Sequence, residues 1–302
     1  MDYSSELSSA LAELNRITGI SMDIHVNSEQ EISDTLEQIQ NLISAYKEKY
    51  SPNYFLLNLM TSDTPVSNLH ERARRLHIQT DCPRILVLLE AKTIIDETCI
   101  SILKQIFPYP ENIFFVSTDE HHLAIVFPHN YPGFPDIHQT SLTIVDTLET
   151  EALMRIKLAY SDCFDSLSSL SDAYKQARIA LKVGQLFYSE QSIFPFNRLG
   201  IGRLIYQLPR DLCQDFIIEI FGSYNTAQFD TETLTAAEKF FQNNLNIAET
   251  SRQLYIHRNT LIYRLDQIQK KTGLDLRNFE DALTFKIALM IMNCLHAERT
   301  DY

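Results

Sequence analysis

Asn246-Ile247-Ala248-Glu249-Thr250-Ser251-Arg252-Gln253-Leu254-Tyr255-Ile256-His257-Arg258-Asn259-Thr260-Leu261-Ile262-Tyr263-Arg264-Leu265 is the stretch on which the reading of this chain turns. It opens with a capping residue, Asn246, and places Glu249 three positions on, the spacing of a capping box. The short helix so started has an inner face of Ile247, Thr250, Ser251 and Leu254, and its small middle residues let a second helix approach closely. That second helix begins after Ile256, with His257 near its cap and Arg258 first inside. Leu261, Leu265 and Ile268 recur at spacings of four and three as a buried stripe. Gly273 stands where a helix ends on a left-handed residue. Two short helices, a tight turn and a polar outer face make a helix-turn-helix. One position departs from the general motif: the turn residue that is often glycine is Tyr255. A plain amphipathic helix pair with solvated charges would show the same periodicity, so the outward residues have to carry the distinction.

At about 100° per residue, the face opposite the stripe centres on Asn259, Tyr263 and Lys270, flanked by Thr260, Asp266 and Gln267. Arg258 sits at the exposed start of the helix, where recognition helices touch base edges in the major groove. Arg258 suits guanine and Asn259 suits adenine, each through a bidentate contact. His257, Thr260, Arg264 and Lys271 are better placed for phosphates, which set register rather than sequence. The candidate DNA-binding set is therefore His257, Arg258, Asn259, Thr260, Tyr263, Arg264, Gln267, Lys270 and Lys271. Charge points the same way. From Asn243 to Thr272 the cations Arg252, Arg258, Arg264, Lys270 and Lys271 face only Glu249 and Asp266, a local +3 in a chain of net charge −13. A basic island on an acidic body attracts phosphate locally without general stickiness.

At 302 residues the chain is long enough for two or three domains. The N-terminus, Met1 to Ala10, is polar and acidic, with no signal-like apolar core. The apolar run Ile287–Met292 is far short of the roughly 18 residues that span a bilayer. A soluble, cytoplasmic protein with no membrane partner is expected. The five cysteines, Cys82, Cys99, Cys163, Cys213 and Cys294, are widely spaced with no CxxC, which supports neither a disulfide framework nor a zinc ribbon. Only seven glycines occur, and no GxGxxG, GxxxxGK[ST] or GxSxG motif is present.

Along the chain, helices are predicted at about Ser5–Ile17 and Ile32–Tyr50, with a short strand at Ile20–Val26 between them. Pro52 breaks the second helix, the polar stretch Thr61–Pro65 reads as a boundary, and a helix through Arg72–Leu76 follows. The middle then runs strand Ile85–Leu89, helix Ile94–Ile106, hairpin strands Ile113–Val116 and Leu123–Phe127, helix Ser141–Glu149, strand Arg155–Tyr160 and helix Leu167–Leu186. That order, β-α-β-β-α-β and a final helix, is the split-βαβ, ferredoxin-like plan. Such a sheet is expected to bury one face under two helices and leave the other for partners or ligands. After Pro195 the chain is helical, with Ile201–Gln207 and Leu212–Phe221 separated by Pro209-Arg210-Asp211, and Asp230 capping a helix to about Asn243. Phe279–Leu295 is apolar nearly all round and must be buried, as the core of the C-terminal domain or, in part, as a homodimer seam.

The Asn246–Leu265 stretch, its Ile256-His257-Arg258-Asn259-Thr260-Leu261-Ile262-Tyr263-Arg264-Leu265 part above all, resembles the C-terminal helix-turn-helix of PucR/CdaR-type bacterial regulators. Thr272-Gly273-Leu274-Asp275-Leu276-Arg277-Asn278-Phe279-Glu280-Asp281-Ala282-Leu283 continues the likeness. Arg198-Leu199-Gly200-Ile201 and Gln207-Leu208-Pro209 look like that family's joining segment. Ser171-Asp172-Ala173-Tyr174-Lys175-Gln176-Ala177-Arg178-Ile179-Ala180-Leu181 resembles its degenerate GGDEF-like domain. The resemblance runs from about Arg72 to Leu295 and is weak before Pro65. It implies an α+β protein with a ferredoxin-like (GGDEF-like) middle domain and an all-α helix-turn-helix C-terminal domain. The boundaries so drawn are 1–64 for a mostly helical N-terminal region, a sensor candidate, 65–195 for the middle domain, 196–230 for a helical connector and 231–302 for the DNA-binding domain. It also implies a regulator of a metabolic operon, homodimeric on an inverted repeat of double-stranded DNA and answering to an unknown small-molecule effector.

A working nucleotide cyclase of the GGDEF plan needs glycines in its hairpin and acidic residues that hold metal. The hairpin here is Ser117-Thr118-Asp119-Glu120-His121-His122, with no glycine pair, and Ile85–Leu89 has no Asp. Neither catalysis nor a cofactor is expected. His121, His122, His129 and His138 form no i,i+4 pair, so no metal is expected either. The competing reading is a nucleotide- or small-molecule-binding sensor or scaffold without direct DNA binding; the sensor predicts nucleotide binding unaffected by Arg258→Ala, and the scaffold predicts protein partners and no salt-sensitive DNA binding.

Overall fold

The structure is a computed structural model, and it describes residues 3–18, 20, 29–62, 68–109, 112–129, 131–133, 136–222 and 229–297. The chain divides into two compact units, Met1–Leu181 with Ser192–Arg198, and Lys182–Gln191 with Leu199–Tyr302.

The first unit opens with α1 (Tyr3–Thr18) and α2 (Glu29–Tyr50), which pack together through Leu14, Ile39 and Ile43. Lys47 Nζ reaches Glu13 at 2.6 Å across the pair. Apart from Ile20, the strand expected at Ile20–Val26 lies outside the described residues. Pro52 ends α2 and also begins α3 (Pro52–Thr61), a helix the apolar periodicity did not announce. Ser51 caps it by accepting from the Tyr54 amide at 3.2 Å, and proline is preorganised for the first helical position, where its missing N–H costs nothing. A short α4 (Leu69–Arg75) leads into the sheet.

The sheet is built from β1 (Asp81–Ala91), β2 (Phe114–Ser117), β3 (His122–Pro128) and β4 (Ile156–Tyr160), with α5 (Glu97–Ile106) after β1 and α6 (Ile137–Glu151) after β3. The strands lie in the order β2-β3-β1-β4 and every neighbouring pair is antiparallel. That is the split-βαβ plan expected from the order of elements. β1 is longer than the apolar run suggested, and α5 starts three residues later, where Asp96 caps it by accepting from the Cys99 amide at 2.9 Å. Two three-residue strands, β5 (Phe164–Ser166) beside β1 and β6 (Ile193–Pro195) parallel to β4, extend the sheet. Neither is long enough to show a period of two in the sequence.

One face of the sheet carries Ile85, Val87, Leu89, Phe115, Leu123, Ile125, Phe127 and Leu158, buried with Cys99 and Leu103 of α5 and Ile144, Val145 and Leu148 of α6. The other face was expected to stay open, and it does not. Leu86, Leu88, Val116, Ala124, Val126 and Ala159 are at most 1% exposed. A bare ferredoxin-like plan lacks two helices that are present here, α3 and the helix after β5. α3 packs on β2. α7 (Leu170–Phe187) has a buried stripe of Leu170, Ala173, Tyr174, Ala177 and Leu181. Ser171 Oγ donates to the Ser62 carbonyl at the end of α3, and Gln176 Oε1 accepts from the Asp162 amide. A sheet sealed on both faces offers no open platform, since both sides are already paired with apolar partners.

The second unit is all helical: α8 (Ile201–Tyr206), α9 (Arg210–Phe221), α10 (Thr231–Gln242), α11 (Ile247–Gln253), α12 (Arg258–Thr272) and α13 (Phe279–Ala297). α13 packs against α8, α9 and α10. Phe285, fully buried on α13, sits at the centre of an aromatic group with Phe221, Phe229 and Phe241 at centroid distances of 5.7, 6.1 and 6.5 Å. Ala282, Ala288, Leu289, Met290, Ile291 and Met292 are buried as well, but the burial expected all along Phe279–Leu295 does not hold at its start, where Phe279 is 66% exposed and Leu283 is exposed too. Gly202 lets α8 close on the end of α7: a Cβ there would come within 2.9 Å of the Phe187 ring and 3.1 Å of Val183. The fold is α+β, with the sheet confined to the first unit.

Candidate nucleic-acid interface

Three helices in succession hold the site. Asp230 caps α10 by accepting from the Thr233 amide at 2.6 Å. That bond, with Arg264 and Lys271 nearby, holds its carboxyl below the usual carboxylate range. α10 ends in two left-handed residues, Asn244 and Leu245 at φ 51° and 61°, which swing the chain into α11. Asn246 then caps α11, accepting from the Glu249 amide at 3.1 Å. Only half of the expected capping box forms. The Glu249 carboxylate pairs with Arg252 and accepts from Gln253, while the Asn246 amide donates to the Asn243 carbonyl. Thr250 and Ser251 are buried, and Ile247 and Leu254 pack on the core, as their spacing on the inner face requires.

The turn closes as a Schellman motif. The Tyr255 amide donates to the Arg252 carbonyl at 3.2 Å and the Ile256 amide to the Ser251 carbonyl at 3.0 Å. His257 caps α12 with its ring: Nδ1 accepts from the Asn259 amide at 3.3 Å. That bond uses the Nδ1 lone pair, so the imidazole hydrogen sits on Nε2. α12 buries Leu261, Leu265 and Ile268 and ends at Gly273, φ 79°, whose amide donates to the Gln269 carbonyl.

The outward residues fall into two groups. His257, Arg258, Asn259, Thr260, Tyr263 and Lys270 are exposed and Gln267 is half-buried; Asn259, Tyr263, Gln267 and Lys270 share the side opposite the stripe, while Arg258, in line with Leu265, is exposed because the helix starts there. Among the described residues the side chains of Arg258, Tyr263, Gln267 and Lys270 make no hydrogen bond or ion pair. The other two candidates reach toward α10, Arg264 half-buried and Lys271 exposed. Arg264 pairs with Glu232 at the start of α10, and its side chain is only 18% exposed. Lys271 Nζ lies 4.8 Å over the ring of Phe229, just before the same helix. At about 100° per residue the two lie on one flank of α12, which is the flank that α10 covers.

Sequence periodicity gave no sign of Arg277. It bridges Asp266 at 3.0 Å and Asp275 at 2.6 Å and reaches Gln269 at 2.9 Å. Asp275 is held below the usual carboxylate range by its hydrogen bond from the Arg277 guanidinium. Asp266 is an acidic residue beside a surface otherwise suited to phosphate, and Arg277 offsets its charge. Arg277 lies beyond Gly273 in an irregular segment, where no repeat could flag it.

Residues 233–291 match the family described as PucR C-terminal helix-turn-helix domain. Residues 61–183 match the family described as GGDEF-like domain. The chain is 24% identical over 246 residues to the carbohydrate diacid regulator of Escherichia coli (strain K12), covering 78% of this chain and 64% of that protein. It is 23% identical over 194 residues to the purine catabolism regulatory protein of Bacillus subtilis (strain 168), covering 63% and 36%. It is 26% identical over 191 residues to the DNA-binding transcriptional activator AdeR of the same organism, covering 59% and 44%. The chain thus spans less than two thirds of the length of each of these relatives.

Proposed function

Since the chain is of the PucR/CdaR type, with a PucR C-terminal helix-turn-helix domain and a GGDEF-like domain, we propose that it is a sequence-specific DNA-binding transcriptional regulator of a metabolic operon. The observation that carries this reading is the outer surface of α12, where Arg258 at its exposed start and Tyr263, Gln267 and Lys270 along the side opposite the buried stripe extend without internal partners among the described residues. A helix kept only for packing would also be polar outside; what favours DNA is that Arg258 and Asn259 stand at the start of the second helix of the motif that residues 233–291 match. Arg258 reads guanine and Asn259 adenine from the major groove, with Tyr263 and Gln267 further along the side that Asn259 shares. His257, through its Nε2–H, Thr260 and Lys270 meet phosphates. Arg264 and Lys271 set the roll of α12 against α10, and what remains of their charge faces the backbone.

Two copies of the chain would present two recognition helices about 34–36 Å apart, one turn of the duplex, and so read an inverted repeat. Relatives named for a carbohydrate diacid and for purine catabolism support a metabolic operon and a small-molecule effector. No helix among the described residues is long and apolar enough to cross a membrane, and a DNA reader works in the cytoplasm. The protein is not an enzyme in this reading, because the hairpin has no glycine pair to admit a nucleotide and Ile85–Leu89 has no Asp to hold a metal.

Sequencing of genomic fragments captured by the purified protein at near-physiological salt tests the reading. One or a few enriched loci sharing an inverted repeat are expected. Arg258→Ala should then weaken binding to that site by about 1–3 kcal/mol and relax one base position. Capture of no specific locus, with and without cell metabolites, would refute the regulator reading.

A further inference from the structure

Tyr255 closes α11 as the residue after its cap, the position that a Schellman ending requires to be left-handed. Its φ is 54°. Glycine takes that conformation freely and does so at Gly222 and Gly273, which end α9 and α12 in the same unit. A tyrosine there carries the clash between its own Cβ and the backbone. No packing offsets that cost, since Tyr255 is 96% exposed. The residues around it are pinned: Ile256 packs on the core and His257 caps α12. The turn therefore holds an aromatic ring in solvent, two residues before the cap of the helix that carries Arg258 and Asn259. An extended chain covers at most about 3.6 Å per residue, so the Tyr255 Cα lies within about 11 Å of the Arg258 Cα.

We propose that Tyr255 is a DNA-contact residue whose ring packs on the sugar-phosphate backbone beside the groove that α12 enters, with its hydroxyl donating to a phosphate oxygen. Contacts of this kind, from tyrosine among others, fix register on the duplex. The inference rests on the reading of α12 as a recognition helix. It adds a contact that brings no positive charge and so releases no counterion. Leu153 supplies an internal control. It too is left-handed, at φ 52°, and 87% exposed after the end of α6, but it belongs to the first unit.

The test compares wild type, Tyr255→Gly, Tyr255→Phe and Leu153→Gly as full-length proteins. It measures thermal unfolding, and affinity for the captured duplex across a salt series. Tyr255→Gly should melt at or above the wild-type temperature, because glycine suits the turn, yet bind about tenfold more weakly, the loss of one hydrogen bond and its packing. Its salt slope should match wild type. Tyr255→Phe should fall between the two, and Leu153→Gly should bind as wild type. Wild-type affinity in Tyr255→Gly would overturn the inference and leave the regulator reading standing, as would a salt slope altered by a full unit. A wild-type protein that binds no duplex would overturn both.

Discussion

The β2–β3 hairpin and the α11–α12 turn are both short, polar and exposed, and they treat their side chains in opposite ways. In the hairpin, Asp119 accepts from the His121 amide and pairs with His122 Nδ1 at 2.8 Å, and His122 Nε2 lies 3.5 Å from Glu90. Burial works to raise the Asp119 carboxyl, but the hydrogen bonds from the two histidines prevail and hold it below its ordinary value. Beneath the hairpin the sheet is closed on both faces. At the helical turn, Tyr255, Arg258, Tyr263 and Lys270 stand in water while the residues between them anchor the core. Polar groups that satisfy one another shape a loop, whereas polar groups held outward on a rigid element are available to a partner. By that measure the binding chemistry of this chain lies in the second unit.

The largest expected effect is on the core that makes the turn rigid. Phe285→Ala removes a fully buried ring from among Phe221, Phe229 and Phe241. It should cost about 3–5 kcal/mol, seen as lost amide protection in α9 to α13 by hydrogen exchange. Equal loss of protection in β1 and β3 would show that the two units unfold together. Next comes the flank of α12. A double-mutant cycle on Arg264 and Glu232 should return a coupling of about 0.5–1 kcal/mol, because the arginine is shielded but the glutamate is exposed. Glu232→Ala should also weaken DNA binding without touching DNA. A variant that binds as wild type would show that α12 needs no clamp.

A smaller effect concerns pH. Asp230 and Asp275 have folded-state pKa values below those of the unfolded chain. Their contribution is complete above the ordinary aspartate range, about 3.9, and is lost as the pH falls through the depressed values. The second unit should therefore lose stability from about pH 4 downward. Asp230→Asn keeps a capping side chain and should flatten part of that loss, which melting curves in an acid series would detect. A wild-type acid profile in the variant would remove Asp230 from the account. Least of all, Asp119→Asn should change stability by no more than about 0.5 kcal/mol and leave DNA affinity as it was. A measurable loss of DNA binding would break the contrast between hairpin and turn.

Much of this was legible in the residues. Leu261, Leu265 and Ile268 repeat at helical spacing, so the buried stripe of α12 and the opposite polar side follow from geometry alone. Asp230, Asn246 and Gly273 mark helix ends because their side chains, or the lack of one, meet backbone needs that any helix has. The antiparallel core strands show through the order of apolar runs. These features depend on neighbours in sequence, so sequence carries them.

Tertiary structure decided what depends on neighbours in space. Nothing local to Arg264 or Lys271 says that the one pairs with Glu232 and the other lies over Phe229, since those partners are some thirty to forty residues away. The second face of the sheet is closed, which the strand pattern alone does not say, and α3 and α7 lie outside that pattern. Arg277 meets Asp266 only because the chain turns back after Gly273. Residue periodicity determined which side of α12 is buried, because a helix repeats by itself. Which outward charges stay available was decided by packing, because a charge is withdrawn only when another part of the fold comes within reach.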